Sequence, residues 1–412
     1  MPLQPRTTPT PDPTPRSMRM TLSRRRLLVG GGALAGAGLL AACGASDSAG
    51  DPSASATTSG TPSPSITSSD RSDTDPAVAF SNWPFYIDTA EDGGTSTLQD
   101  FEAETGIAVE YIEDINDNEE FWAKVSPQLE MGQPIDRDII VVTDDYARRF
   151  IRAGWAEPID PANVPNKANL IASLQNREWD PDRTWTLPWQ NGIVGFGVNN
   201  DAAGGKVTSF EQLLGDDFTG KVSISSEMSD TMIFFLLLQG SDPQDFTDDE
   251  FQQALAAFQA AFDRGQFRKV TGNDYAGDLV DGNVAAAIGY SGDVFQLNLE
   301  NPAVEFVVPQ EGGGYFSDVM VIPAGAEHHR NAERLMDYYY DPLVAAKLAA
   351  WVQYLTPVQG AQEAMAEVDP EQVENPAIFP SEAELASAHP FMALNPDTEL
   401  DYIRAYQRVI LS

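Results

Sequence analysis

The sequence predicts an α/β protein of two lobes with a cleft between them, on three observations. Strand-like and helix-like patterns alternate from residue 77 onward, as in sheets whose strands run largely parallel. One strand candidate, 139–142 (Ile-Ile-Val-Val), is apolar throughout, the pattern of a strand covered on both faces. The stretch 183–199, Arg-Thr-Trp-Thr-Leu-Pro-Trp-Gln-Asn-Gly-Ile-Val-Gly-Phe-Gly-Val-Asn, then stands between one αβ-patterned segment and a second. Its proline holds the preceding residue extended, and 193–198 reads as a glycine-laced strand. Gly192, Gly195 and Gly197 cannot line a core, so they point to close approach of backbone or ligand, or to a bend. A strand that leaves one compact unit and enters another suits a two-lobed protein; a strand buried in a single domain is the alternative these residues leave open. At 412 residues the chain exceeds the usual limit of one core.

In order along the chain, 1–22 is rich in Pro, Thr and Arg. Ser23-Arg24-Arg25-Arg26-Leu27-Leu28 and an uncharged Gly/Ala/Leu run to Ala42 follow, a basic region and an apolar region as in a secretory signal. The paired arginines suit a twin-arginine signal. Leu40-Ala41-Ala42-Cys43 resembles a bacterial lipobox, which would make Cys43 the lipidated first residue of the mature protein. Residues 43–76 are Ser/Thr/Pro/Asp-rich and read as a flexible tether.

The folded body is expected from about 77. Strands are predicted at 77–83, 107–111, 139–142, 221–225, 284–290, 303–309 and 319–322, where β-branched and apolar residues cluster. Helices are predicted at 97–105, closed by Gly106, and at 119–131, 147–153, 226–238, 248–263, 331–340, 343–352, 362–367 and 399–410. Gly312-Gly313-Gly314 reads as a turn, with no Lys-Ser/Thr after it to make a phosphate loop.

Charge and cysteine content narrow the function classes. The chain has 25 basic and 62 acidic residues. Residues 1–42 hold six arginines and one aspartate, which leaves 19 basic against 61 acidic in the remainder, a net of −42. Such a surface disfavours nucleic acid and anionic headgroups and raises the local concentration of cations; solubility or salt adaptation is the plainer reading. Cys43 is the single cysteine and there are three histidines, which leaves little for a Cys/His metal site or a Cys–His nucleophile. No cofactor is expected.

In open α/β sheets ligands bind beyond the carboxyl ends of the strands. Those positions hold Trp83 and Tyr86, then Thr143, Asp144 and Asp145, then Glu227 and Asp230, then Tyr290 and Asp293, with Phe316 and Asp318 before the last strand. They are aromatics and carboxylates, without lysine or arginine. Such a pocket suits a cation with a hydrocarbon body, since carboxylates take ammonium groups and aromatic faces cover methylenes. Each residue also has a structural reading: tryptophan and tyrosine are core residues, and acids in a first helical turn, as Glu227 and Asp230 are expected to be, favour the dipole.

Asn82-Trp83-Pro84-Phe85-Tyr86-Ile87, Leu187-Pro188-Trp189-Gln190-Asn191-Gly192, Gln310-Glu311-Gly312-Gly313, Ile322-Pro323-Ala324 and Tyr354-Leu355-Thr356-Pro357 resemble, in order and spacing, the spermidine/putrescine-binding proteins of ABC importers. The similarity covers about 77–405. It implies a two-lobed periplasmic-binding-protein fold of type II-like topology, lobes joined by crossing strands, no catalysis, and a monomer that closes over a polyamine about a hinge near 190–192 and is recognised by a membrane permease. It implies ligand-binding roles for Trp83, Tyr86, Thr143, Asp145, Glu227, Asp230, Tyr290, Phe316, Asp318 and Tyr354. Where the family has a serine-containing loop this chain has Thr143-Asp144-Asp145; Phe316 stands for a tryptophan and Phe391 for a glutamine. The expected lobes are 77–191 with 290–325, and 192–289 with 326–412. The same fold binding a sugar, peptide or metal complex is the nearest alternative, and a secreted hydrolase the more distant one.

Overall fold

A computed structural model describes residues 66, 68–90, 94–381 and 385–412. The signal, Cys43 and most of the tether expected from the sequence lie outside these residues. Among the described residues, eleven strands form one mixed sheet. The first half is built from β1 (Ala77–Asn82), β2 (Ala108–Glu113), β3 (Ile139–Thr143) and the short β4 (Ala156–Glu157). A long β5 (Thr186–Asn199) leads to β6 (Val222–Ser225), β7 (Phe267–Thr271), β8 (Ala286–Tyr290), β9 (Val304–Val307), β10 (Gly313–Pro323) and β11 (Ala388–Pro390). The main path runs β2-β1-β3-β10-β5-β8-β6-β7. β1 is parallel to β2 and β3, and β6 to β7 and β8, whereas β10 is antiparallel to both β3 and β5.

Local sequence explains the helices with the sharpest ends. α1 (Thr97–Thr105) opens on a capping box between Ser96 and Gln99 and stops at Gly106, which has φ 72°. α2 (Asn118–Glu130) is capped by Asp117, and α3 (Asp144–Ala153) stops at Gly154. α4 (Asn200–Ala203) and α5 (Phe210–Leu213) are single turns. α6 (Met228–Leu238) is apolar around most of its circumference and buried accordingly. α7 (Asp248–Asp263) has a second capping box, Thr247 with Glu250. α8 (Tyr275–Val280), α9 (Ser291–Glu300), α10 (His329–Tyr339), α11 (Pro342–Val352), α12 (Ala361–Val368) and α13 (Pro396–Ile410) complete the described helices.

Two large cores sit on the two halves of the sheet. The first gathers Phe80, Phe101, Ile139–Val142, Phe150 and Trp189 with Leu335, Met336, Leu348 and Val352. The second gathers Phe196, Phe210, Ile224, Phe234, Phe258 and Ile288 with Tyr402 and Tyr406. β5 belongs to both: Leu187 and Trp189 are in the first core and Val194, Phe196 and Val198 in the second. β10 makes the return crossing, and the ladder between them slips one residue where Asp318 pairs Gln190 but Val319 pairs Pro188.

Three expectations change. α10 to α12 lie against the first core, not the second, because their buried apolar residues Leu335, Met336, Leu348, Val352 and Ala361 belong to it; of the described helices after β10, only the C-terminal one joins the second core. The body begins before residue 77: Ser68 Oγ donates to the Ala326 carbonyl (2.8 Å), Arg71 pairs with Glu327 (2.6 Å), and Arg330 reaches Asp73 (2.7 Å). Polar side chains that looked like linker in the sequence are partners of residues 326–330. Gly313 and Gly314 are strand residues, not a turn; a Cβ on Gly313 would stand 2.6 Å from the Val194 carbonyl oxygen, so glycine is what lets β10 approach β5.

Candidate functional site

Where the crossing strands pass between the cores, a cavity of about 590 Å³ opens at the carboxyl ends of β1, β3, β6 and β8. That volume lies in the range of small-molecule pockets. All ten residues singled out from the sequence line it: Trp83, Tyr86, Thr143, Asp145, Glu227, Asp230, Tyr290, Phe316, Asp318 and Tyr354.

Each is positioned by a local device. Trp83 leaves β1 and is pinned by its indole N–H, which donates to the Val141 carbonyl (3.0 Å). Pro84 and a left-handed Phe85 (φ 59°) then turn the chain, and Tyr86 donates its hydroxyl to Asp318 Oδ2 (2.7 Å). Tyr354 follows Gln353, also left-handed (φ 59°), and an antiparallel bridge between Asn191 and Leu355 holds that crossing against β5. Its ring meets Tyr86 edge-on at 4.7 Å and Phe316 at 6.2 Å, while Phe316 meets Tyr290 at 5.4 Å. Gly192 and Gly292 leave room for these rings, since a Cβ would lie 2.4 Å from Phe316 and 2.2 Å from Tyr354.

The acids fall into two kinds. Eight carboxylates line the cavity beside two arginines, Arg148 and Arg177, and no lysine. Both arginines were invisible to a reading that looked only past strand ends, because they come from α3 and a loop. They are already engaged: Arg148 with Glu399 (2.9 Å), which Arg152 also grips (2.8 Å), and Arg177 with Asp144 (3.3 Å). Asp144 also lies 3.7 Å from the fully buried Arg183, and Glu119 pairs with Arg149 (2.9 Å). Among the described residues, Asp145, Glu227, Asp230, Asp293 and Asp318 have no basic partner. These are the acids left free to meet a cation.

Their hydrogen bonds are few. Asp230 Oδ2 accepts from Tyr290 (2.8 Å) and from Ser225 at 3.5 Å. Asp145 accepts from the Thr143 hydroxyl. Asp293 takes the hydroxyls of Tyr354 (2.6 Å) and Tyr275 (3.1 Å). Asp318 Oδ1 is buried without any partner. Burial therefore dominates their titration: it pushes Asp318 up to about 8, Asp230 to about 7 and Asp293 to about 6, and neighbouring acids add to the effect at Asp230 and Asp318. Burial likewise holds Glu227 well above the carboxylate range, with Asp117 and Asp230 adding to it. A buried carboxylate gains most from a cation within hydrogen-bonding reach.

Glu227 departs from the expected geometry. The helix begins at Met228, and Glu227 sits one residue before it with extended backbone (φ −71°, ψ 124°). The two acids thus do not share a helical face. Asp293, seen in the sequence only as a neighbour of Tyr290, lies behind Tyr354 as a further acid of the wall; its signal was its place just past a strand end.

Residues 96–380 match the family of bacterial extracellular solute-binding proteins. The chain belongs to that family. Among curated relatives, a putrescine-binding periplasmic protein of Pseudomonas aeruginosa, SpuD, is 27% identical over 348 residues, 80% of this chain and 90% of the relative. A spermidine/putrescine-binding periplasmic protein of Escherichia coli is 24% identical over 302 residues, 73% of this chain and 82% of the relative. Among solved structures, the TpPotD lipoprotein of Treponema pallidum superposes with a TM-score of 0.67 at 20% identity, covering 82% of this chain and 100% of that one. This solute-binding protein therefore has the two-lobed fold expected from its sequence. Among the described residues no helix is long and apolar enough to cross a membrane.

Proposed function

We propose that this solute-binding protein captures linear polyamines, of the spermidine and putrescine type, and delivers them to the membrane subunits of an ABC importer. The observation that carries this reading is the set of four carboxylates without a basic partner, Asp145, Asp230, Asp293 and Asp318, inside an aromatic wall. Asp318 and Asp230 take ammonium groups, Asp145 and Asp293 add negative potential, and Trp83, Tyr86, Phe316 and Tyr354 cover the methylenes between charges. The relatives' ligands are of the same chemistry. We place the moving lobes at the two cores, with β5 and β10 as the hinge.

Calorimetric titration with putrescine, spermidine and spermine, beside maltose and a neutral peptide, tests the reading. Spermidine at about a hundredfold above its Kd stabilises the fold by roughly 2.7 kcal/mol through linkage. No heat and no thermal shift with any polyamine, or a shift with maltose instead, defeats it. We further propose that Cys43 carries a lipid anchor and that Arg24 and Arg25 direct export. Cys43→Ala then moves the protein from the membrane to the soluble fraction, and continued retention counts against the anchor.

A further inference from the structure

Residues 116–118 at the start of α2 belong to the first core's half, and residues 226–227 before α6 to the second. They meet at the cavity, which Asn118, Ser226 and Glu227 line. Glu227 Oε1 accepts from the backbone N–H of Asn118 at 2.6 Å. Ser226 donates its hydroxyl to Asp117 Oδ2, and the Asn273 N–H donates to the Asn116 carbonyl at 3.1 Å. Asn118 is the first residue of α2, where amides lack intrahelical acceptors and a negative charge is favoured by the dipole. Asp117, the helix's own cap, spends Oδ1 on Glu120 (2.8 Å), so the Asn118 amide is satisfied from the opposite half. Asn118 also reaches the cavity floor: its side-chain oxygen accepts from the Thr143 N–H at 3.3 Å.

We infer that Glu227 is a closure residue: it completes the cap of α2 from across the cleft and holds the two halves together over the solute, instead of pairing with a ligand charge. One of its oxygens, Oε1, is committed to an amide, and the residue stands off the helical face that carries Asp230. Asn118 then links the two events. Its side chain reports on the β3–α3 junction at Thr143 and its backbone on the clasp. The nature of the ligand rests on the polyamine reading; the clasp does not.

The test compares Glu227→Gln, Glu227→Ala and Ser226→Ala with wild type. Spermidine affinity and dissociation rate are measured by stopped flow, and the radius of gyration by small-angle X-ray scattering. Glutamine keeps an oxygen for the Asn118 N–H, so Glu227→Gln stays within about threefold of wild type, whereas Glu227→Ala loses about tenfold, mostly as faster dissociation. Ser226→Ala, which removes a second stitch and leaves the number of charges unchanged, also speeds dissociation. A loss for Glu227→Gln as large as for Asp318→Asn, with Ser226→Ala unchanged, overturns the inference in favour of a ligand-charge role. Should wild type bind no polyamine, the functional reading fails alone, and scattering of the ligand-free proteins decides the clasp. Glu227→Ala then has a larger radius than wild type and Glu227→Gln; equal radii for all three overturn it.

Discussion

Replacing Asp318 by asparagine isolates the charge from the shape. The side chain is 5% exposed, Oδ2 accepts from Tyr86 at 2.7 Å, and Oδ1 has no partner in the protein. In the proposed complex that free oxygen faces an ammonium, which has donors only. Asparagine can present its oxygen to Tyr86 or to the ammonium, but in either orientation its NH₂ meets a donor. A charged hydrogen bond is worth about 1.5–3 kcal/mol, and the mismatch pushes the loss toward the upper end. The expected effect is a roughly ten- to hundredfold rise in Kd for spermidine, measured by calorimetry at low and high salt. Asp249→Asn, at an exposed position in the first turn of α7, is the control and costs less than about twofold, all of it erased by salt. Equal losses for the two variants, or a loss at Asp318 that salt abolishes, would refute the pocket argument and leave only a diffuse acidic surface.

Three further outcomes follow from the same geometry. Burial pushes Asp293, Asp230 and Asp318 up to about 6, 7 and 8, so their contribution to the ligand-free fold is full below the ordinary value of 3.8 and is lost as pH rises through those raised values. A bound cation favours the charged forms, so the midpoint shift caused by spermidine grows from pH 5 to pH 8 in a thermal scan; an equal or smaller shift at pH 8 contradicts this. Gly292→Ala puts a Cβ 2.2 Å from the Tyr354 ring and must move it off Asp293, weakening binding about tenfold through overpacking of about 1–3 kcal/mol; Gly277→Ala, where nothing lies within 4 Å, leaves affinity unchanged. Glu399→Gln weakens a buried contact gripped by two arginines and lowers unfolding stability by about 1.5–3 kcal/mol in a denaturant titration, whereas an unchanged midpoint shows that the bridge carries no net energy.

Much of this was legible because the local signals agree with the tertiary answer. α1 and α7 have the predicted ends, 97–105 and 248–263, since each carries its own capping box. The cavity residues were legible for a topological reason: the carboxyl ends of β1, β3, β6 and β8 converge, so Trp83, Thr143, Glu227 and Tyr290, remote in sequence, share one wall. What escaped depends on partners that sequence spacing cannot show. Ser291-Gly292-Asp293 is the first turn of α9, with its glycine required by Tyr354. Arg148 and Arg177 line the cavity while paired with Glu399 and Asp144, partners remote in sequence. Helices 329–368 follow the return crossing in sequence, and their packing against the first core is settled by which apolar face finds a complement.

The segment from Ser68 to Asp75 has a mechanical meaning. It meets the body at Glu327, His328 and Arg330, all beside the first core, through Arg71, Asp70, Asp73 and Asp75. If the proposed anchor on Cys43 holds the protein at a membrane, a pull on the chain enters the body through those contacts, on the side of the first core, and not through the second core, where the C-terminal helix packs.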